Sequence, residues 1–231
     1  MALSGPDLQA DWLFNWGNAA QLGAGIGLTA VIALVSAAAS AIGGTGFGFV
    51  LASKHRWVRG AGRVYLEAVR IIPLVVLLYV AYYLASAELG LNTTNVVTSI
   101  IIFTAWGTGE FGDIVRGAIT SIPSHQYESA RALGMSPARA YLSVIVPQSV
   151  RRVAPAAMNL VTRMIKTTSL CAFISVAEVM TIGRQIVSVA NQSFHHPEAP
   201  FVVYGIVMAL YFLVCWPIAR AATRLEKVWA V

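Results

Sequence analysis

Charged residues are scarce in this chain. Only 11% of its 231 residues are Asp, Glu, Lys or Arg, whereas 57% are apolar. A soluble domain usually carries about a quarter charged residues, because its surface must stay hydrated. The shortage of charge therefore excludes an ordinary soluble domain and indicates an integral membrane protein. The length suits a single domain, residues 1–231, made mostly of membrane spans and short loops.

The chain also lacks the motifs of several other classes. No GxxxxGK[ST] phosphate loop occurs in it, so an ATPase site is not predicted. The glycine-rich run 43–48 follows no strand and precedes no lysine, which favours close helix packing through small residues over nucleotide binding. The two cysteines, Cys171 and Cys215, lie in apolar sequence and are predicted to be buried thiols rather than a disulfide. No basic region precedes the first apolar run, so no cleavable signal peptide is predicted.

Metal and nucleic-acid sites are not predicted either. The adjacent histidines His195 and His196 lack the i, i+4 spacing of helical zinc motifs, which favours a structural or receptor-contacting loop. The net charge of +6 is spread over short loops instead of being gathered on one helix face, which argues against a nucleic-acid partner. No nucleophile and base lie at matched depth, so an intramembrane enzyme is a remote alternative.

Five stretches are long and apolar enough to cross a bilayer, which takes roughly 20 residues each. The predicted fold class is all-α, a polytopic membrane bundle of about five transmembrane helices. Pro73, near the start of the second stretch, is expected to bend or restart its helix. The predicted spans are residues 22–41, 65–87, 96–119, 153–176 and 201–219.

The basic residues predict the orientation of the bundle. The positive-inside rule places basic loops in the cytoplasm, whereas the loop before the third span has no Lys or Arg and is predicted to be external. The N-terminus is therefore predicted outside and the C-terminus inside. An odd number of spans also argues against the internally duplicated secondary transporters. The basic residues that carry this prediction are Lys54, Arg56, Arg59 and Arg63 after the first span and Arg220, Arg224 and Lys227 in the tail.

A hydrophilic stretch, residues 121–148, separates the third and fourth spans. Ser124 can cap a first short helix, and Gly134 can end it in the left-handed conformation. Ser136 followed by Pro137 can open a second helix. We therefore predict that residues 121–148 form a compact protruding elbow. A partner outside the membrane is expected to bind the protein there.

The elbow resembles a known motif. Glu128, Ala130 and Gly134, followed nine residues later by a V-I-V-P string that ends at Pro147, resemble the EAA-x3-G-x9-I-x-L-P loop of permease subunits of bacterial ABC importers. Ser129, Val144 and Val146 stand where that pattern has Ala, Ile and Leu. In that family the loop is a cytoplasmic coupling helix seated in a groove of the ATP-hydrolysing subunit; the alternative is an ordinary amphipathic loop. The resemblance implies coupling roles for Tyr127, Glu128, Ala130, Arg131, Leu133 and Gly134.

Other strings resemble the polar amino-acid branch of these permeases, of the histidine, glutamine, glutamate and arginine type. They begin at Glu67 (E-A-V-R-I-I-P-L), Asp113 (D-I-V-R-G) and Lys166 (K-T-T-S-L), with Ile71 and Thr167 departing from the pattern. The resemblance implies a type I importer fold and a multi-pass permease of the bacterial cytoplasmic (inner) membrane that forms the translocation path for polar amino acids.

The same resemblance implies the partners. They are a cytoplasmic ATP-binding subunit, a second permease subunit (a second copy or a paralogue), an extracytoplasmic solute-binding protein, an amino-acid substrate and the lipid bilayer. ATP and Mg would be held by the partner, so this chain is expected to hold no cofactor and to be no enzyme. The alternative function is an ATP-independent secondary transporter or channel subunit.

Ionisable groups within spans are expected to face protein or water, since each costs roughly 2.5 to 3.5 kcal/mol to insert. Asp113 and Arg116, three residues apart, can pair on one helix face as a structural ion pair. Glu110 is either an acid of the substrate path, which would hint at a cationic substrate, or the partner of a nearby Lys or Arg.

The fourth span carries further candidates. Arg163 and Lys166 can meet the carboxylate of a zwitterion, or can pair with Glu110, with Asp113 or with acids of a second subunit. Glu178 is placed in the external half of the path or in the seam between subunits. The predicted translocation path comprises Glu110, Arg163, Lys166, Thr167, Thr168, Ser169 and Glu178.

Overall fold

The computed structural model describes residues 16–87, 93–193 and 196–229, and over these ranges the chain forms helices and no strand. The prediction of an all-α fold is confirmed. A π-helical turn, Tyr141–Ile145, leads into α7, and a 3-10 helix, Thr168–Ile174, follows it. The α-helices are α1 (Trp16–Leu51), α2 (Arg56–Ile71), α3 (Leu74–Ala87), α4 (Asn95–Thr120), α5 (Ser124–Ala132), α6 (Pro137–Ala140), α7 (Val146–Thr167), α8 (Val179–Ser193) and α9 (Ala199–Trp229).

Helices α1 and α9 are each long and apolar enough to cross a membrane, and two bent pairs raise that number to four among the described residues. The first pair, Arg56–Ile71 with Leu74–Leu84, bends by 95° at Pro73. Ile72 is extended there, as expected for a residue that precedes proline. The predicted break at Pro73 is confirmed, so the predicted span 65–87 is not one straight helix. The second pair, Pro137–Ile174 with Val179–Gln192, bends by 51°.

Helix α4 packs lengthwise against α1 through small and polar residues. Ser36 Oγ donates to the Ile100 carbonyl at 3.4 Å, and Ser40 Oγ donates to the Thr104 carbonyl at 3.3 Å. Residue numbers rise together along the contact, so the two helices run in the same direction. The buried face of α4 is rich in Gly, Ser and Thr. Close packing against α1 therefore characterises this helix more than a run of apolar residues does.

Glycines let the two backbones approach closely. A Cβ on Gly44 would lie 2.7 Å from Phe111 Cβ, and one on Gly48 would lie 2.6 Å from Val115 Cγ1. Small residues at such contacts are the usual basis of helix association in membranes. The packing role predicted for the glycine run is therefore confirmed.

Gly44→Leu is expected to destabilise the bundle by about 3 kcal/mol, because overpacking a core without room costs that much. The added side chain would also meet the backbone of Gly112, whose nitrogen would lie 3.0 Å from the new Cβ. Gly46→Leu is the matched control, since no atom lies within 4 Å of a Cβ there. Thermal unfolding in detergent should show a clear drop for the first variant only; equal melting temperatures would contradict the packing role.

Helix α7 closes the bundle between α4 and α9. Cys215 of α9 lies against the Thr162 carbonyl of α7, and Met164 packs on Gly107 of α4. Both cysteines, Cys171 and Cys215, are buried and free, as predicted. This arrangement places the charged parts of α4 and α7 next to each other.

Candidate functional site

The elbow begins with α5. The helix starts at Ser124 itself, and Pro123, in extended conformation, occupies the capping position without a side-chain hydrogen bond. The predicted cap by Ser124 is therefore wrong. The reason is that proline is well suited to the extended position before a helix, which shifts the helix start by one residue relative to the predicted cap.

The end of α5 follows the prediction closely. Gly134 has φ +74°, the left-handed conformation that glycine adopts at low cost. Its N–H donates to the Arg131 carbonyl at 2.9 Å, and the Met135 N–H donates to the Ala130 carbonyl at 3.1 Å. This pair of hydrogen bonds is the Schellman motif, and it reverses the chain sharply. The predicted cap on α6 is also present, since Ser136 Oγ accepts from the backbone N–H of Arg139 at 3.4 Å.

The outer surface of α5 is exposed. Glu128, Arg131 and Gly134 are exposed, and Leu133 is 77% exposed. Only Ala130 is buried on this helix, at the side that faces the body of the protein. The outer surface of α5 is therefore accessible and polar, with Leu133 as its exposed apolar residue.

The elbow is fixed to the start of α7. Arg152 Nη1 donates to the Ser121 carbonyl at 2.7 Å, and Gln148 Nε2 donates to Gln126 Oε1 at 3.2 Å. The turn before α7 is π-helical because Pro147 has no N–H to donate and its ring would collide with a carbonyl of the preceding turn. A displacement of α5 is therefore expected to move α7 with it.

A charge network joins α2, α4 and α7 within the bundle. Arg70 Nε lies 2.7 Å from Glu110 Oε1, and Arg163 Nη2 lies 2.5 Å from Glu110 Oε2. Arg70 Nη2 also lies 2.9 Å from Asp113 Oδ2, and Arg116 Nη2 lies 2.7 Å from Asp113 Oδ1. The structure thus brings together the predicted pair of Asp113 and Arg116. Arg70 connects this pair to Glu110, which in turn contacts Arg163.

Glu110 is the centre of this network. Its side chain is 9% exposed, and each carboxylate oxygen contacts a different guanidinium group. Of the two roles predicted for Glu110, the structure places it as the partner of arginines. Sequence reasoning missed Arg70 as that partner, although an arginine within a predicted span needs an acid nearby. Three arginines against two carboxylates leave the network with one net positive charge.

The remaining candidates on α7 lie beside this network. Arg163 stacks its guanidinium over the Trp106 ring, 5.2 Å from the centroid. The Lys166 side chain is exposed and makes no ion pair or hydrogen bond within the described part of the chain. The three hydroxyl groups after it bond to their own helix: Thr167 to the Arg163 carbonyl at 2.8 Å, Thr168 to the Ile165 carbonyl at 2.7 Å and Ser169 to the Lys166 carbonyl at 3.0 Å.

Lys166 and Ser169 open onto a cavity of about 400 Å³, a volume within the range of small-molecule sites. Two tyrosines of α9 contribute to its wall, and sequence reasoning missed both because nothing separates them from ordinary tyrosines of a membrane helix. The residues that line this cavity are Lys166, Ser169, Met180, Tyr204, Val207, Met208 and Tyr211.

Glu178 lies behind this cavity and is fully buried. Its carboxylate accepts hydrogen bonds from the backbone N–H groups of Met180 and Thr181, both at 2.8 Å, and from the Tyr211 hydroxyl at 3.3 Å. A carboxylate at this position caps α8 and is stabilised by the positive end of the helix dipole. A part for Glu178 in the translocation path stays a prediction.

The histidine loop contributes no metal site to the described residues. His195 lies outside them, and His196 Nδ1 contacts Glu198 Oε1 at 2.7 Å. The pKa of Glu198 lies below its usual value because the carboxylate accepts hydrogen bonds from its own backbone N–H and from His196. Within residues 16–87, 93–193 and 196–229, no group of three or more His, Cys, Asp or Glu side chains could hold a metal ion.

The elbow and the bundle together match a known family. The model of the family described as "binding-protein-dependent transport system inner membrane component" matches residues 44–223. The chain belongs to this family. The predicted family, permease function and inner-membrane location are confirmed.

Individual proteins resemble this permease over most of its length. The octopine transport system permease protein OccM of Rhizobium radiobacter is 28% identical over 96% of this chain and 90% of its own. The probable amino-acid ABC transporter permease protein YckA of Bacillus subtilis is 28% identical over 89% of this chain and 88% of its own. A solved amino-acid ABC transporter, crystallised with histidines, has the same fold, with a TM-score of 0.79 at 22% identity over 90% of this permease and 94% of that chain.

Proposed function

We propose that this permease is the membrane subunit of an ATP-driven importer for polar amino acids and that its elbow receives the movement of a separate ATP-binding subunit. The observation that carries the proposal is the exposed outer surface of α5 with Leu133, fixed at its base to α7. This sequence contains no phosphate loop, so we expect a separate subunit to bind and hydrolyse ATP. Relatives named for amino-acid transport support the substrate class.

The mechanism follows from the separation of the translocation path and the ATP-binding site into different subunits. Two elbows, one from each permease subunit, sit on the cytoplasmic side in grooves of two ATP-binding subunits that hold ATP and Mg. When these subunits close, the elbows approach each other and turn α7 as a rigid body, which moves the arginine network and the cavity with it. ATP must bind the outward-facing state more tightly than the inward-facing state, since equal binding would shift nothing.

A solute-binding protein delivers the amino acid at the opposite end of the bundle, which lies outside the cell in the predicted orientation. The cavity beside α7 then receives it. Lys166 supplies a positive charge with no partner of its own among the described residues, and a substrate carboxylate suits that charge. The lining residues that the structure describes include no acid, and Glu110 is held by two arginines. We therefore propose zwitterionic or anionic amino acids, and the network gives no support to a cationic substrate.

Reconstitution tests the proposed function. The permease, co-expressed with an ATP-binding subunit and a second permease subunit, is expected to copurify with both. It should then take up a radiolabelled amino acid into proteoliposomes only when ATP is available on the side of the elbow. Uptake that is independent of ATP and follows an ion gradient would instead support the secondary-transporter alternative.

Lys166→Gln is expected to weaken binding of the amino acid to the purified transporter at least tenfold. A hydrogen bond to a charged group contributes about 1.5–3 kcal/mol, which corresponds to a factor of about 10 to 150. Lys54→Gln is the matched control, because Lys54 is an exposed lysine in a loop far along the chain from the cavity. Equal binding by the two variants would exclude Lys166 as the carboxylate-binding group.

A further inference from the structure

A second concave surface lies between α1, α4 and α7, separate from the cavity at Lys166. We call it the α1/α4/α7 groove. It has a volume of about 420 Å³ and reaches down to the π-helical turn that carries the elbow. Its lining residues are Ala41, Thr45, Phe49, Phe111, Val115, Ile119, Tyr141, Val146, Ser149, Val150, Val153, Ala154 and Ala157.

The wall of this groove is almost entirely apolar. Of its few polar residues, Thr45 donates its hydroxyl to the Ala41 carbonyl at 2.6 Å, whereas the buried Ser149 hydroxyl has no hydrogen-bond partner among the described residues. Phe49 and Val150 are exposed at the mouth of the groove, so it opens to the side of the bundle. Water needs two to four polar partners to be held, and an amino acid needs more, so neither suits this surface. The groove therefore favours a ligand that is mostly apolar.

The dimensions of the groove suit an acyl chain. The groove follows α1 from Ala41 to Phe49, a length of about 12 Å. A single flexible hydrocarbon chain suits an apolar groove of this length and volume.

A positive charge follows a lining residue of the groove near the start of α7. Arg151 follows Val150 directly, is exposed, and its side chain makes no hydrogen bond or ion pair to other described residues. Its neighbour Arg152 is already bonded to Ser121. The chain spans a membrane, so lipid is the hydrocarbon that surrounds it, and the arginine favours a lipid with an anionic headgroup.

We propose that the α1/α4/α7 groove binds one acyl chain of an anionic phospholipid, whose headgroup is held by Arg151. The lipid contacts Tyr141 and Val146, which bound the π-helical turn between the elbow and α7. The lipid therefore occupies the space beside the segment that joins the elbow to α7. The proposal does not depend on the substrate or on ATP.

The test measures lipid retention on the assembled transporter by native mass spectrometry, after exchange into mixed micelles with phosphatidylglycerol and phosphatidylcholine. The wild-type protein is expected to retain phosphatidylglycerol. Filling the groove with Ala154→Phe and Ala157→Leu should reduce retention at least tenfold, whereas Leu213→Phe, on the exposed side of α9, should leave it unchanged.

Arg151→Gln tests the headgroup contact without changing the packing of the bundle. The preference for phosphatidylglycerol over phosphatidylcholine should fall about fivefold, the factor that corresponds to one basic residue near an anionic surface. Unchanged retention in the filled variant or unchanged preference in Arg151→Gln would overturn the proposal. Efficient disulfide formation between two copies of Val150→Cys in a bilayer would also overturn it, because the groove mouth would then be a contact between subunits.

Discussion

Gly134→Asp is expected to abolish ATP-driven uptake while leaving the permease folded and in the membrane. Gly134 has φ +74°, and a residue with a side chain pays about 1–2 kcal/mol in that conformation. The new carboxylate would also lie at the C-terminal end of α5, where the helix dipole disfavours negative charge. No atom lies within 4 Å of a Cβ at this position, so the change distorts the exposed turn and not the bundle. Uptake into proteoliposomes with the partner subunits measures the effect.

Gly134→Asn is the matched control for this prediction. Asparagine has nearly the shape of aspartate and tolerates the left-handed conformation, but it adds no charge. It should retain a substantial part of the uptake. Normal uptake by Gly134→Asp would refute the coupling role of the elbow. Loss of the folded protein in detergent would show instead that the turn serves folding.

Glu110→Gln is expected to destabilise the permease by about 3 kcal/mol and to abolish transport. Removing one member of a buried ion pair leaves uncompensated charge, and the lower end of the usual range applies because both arginines remain partly hydrated. Here two guanidinium groups, those of Arg70 and Arg163, would lose their partner at once. Thermal unfolding in detergent and uptake of zwitterionic and cationic amino acids together measure the outcome.

Glu67→Gln provides the comparison, because Glu67 is an exposed acid on α2. It should change the melting temperature little. If Glu110→Gln unfolds at the wild-type temperature, the charge network does not stabilise the packing of α2, α4 and α7. A selective loss of cationic substrate uptake in a stable Glu110→Gln protein would restore the role of substrate-binding acid.

Much of the elbow could be predicted because its structure is local. The end of α5 at Gly134 depends on one residue that accepts positive φ, and the start of α6 depends on Ser136 and Pro137. The break at Pro73 has the same basis, since a missing N–H and a fixed φ act wherever proline occurs. The error at Ser124 is of one residue, which is the usual uncertainty of a helix end.

The roles of the charged residues were less predictable. The cost of a charge within a span implies that Glu110 needs a partner, but the partners lie 40 and 53 residues away along the chain. The burial of Glu178 behind Tyr211 likewise depends on how α8 meets α9. No local pattern distinguishes such an acid from one that faces a substrate.

The sequence by itself determined that this protein is a membrane-spanning bundle of helices with a protruding elbow, because hydrophobic length and the backbone restrictions of glycine and proline act over a few residues. The tertiary structure alone decided which charges neutralise each other, and it left Lys166 without a partner among the described residues. The physical reason is that an ion pair forms between whichever side chains the helix packing brings within a few ångströms. That packing is set by close contacts such as those of Gly44 and Gly107.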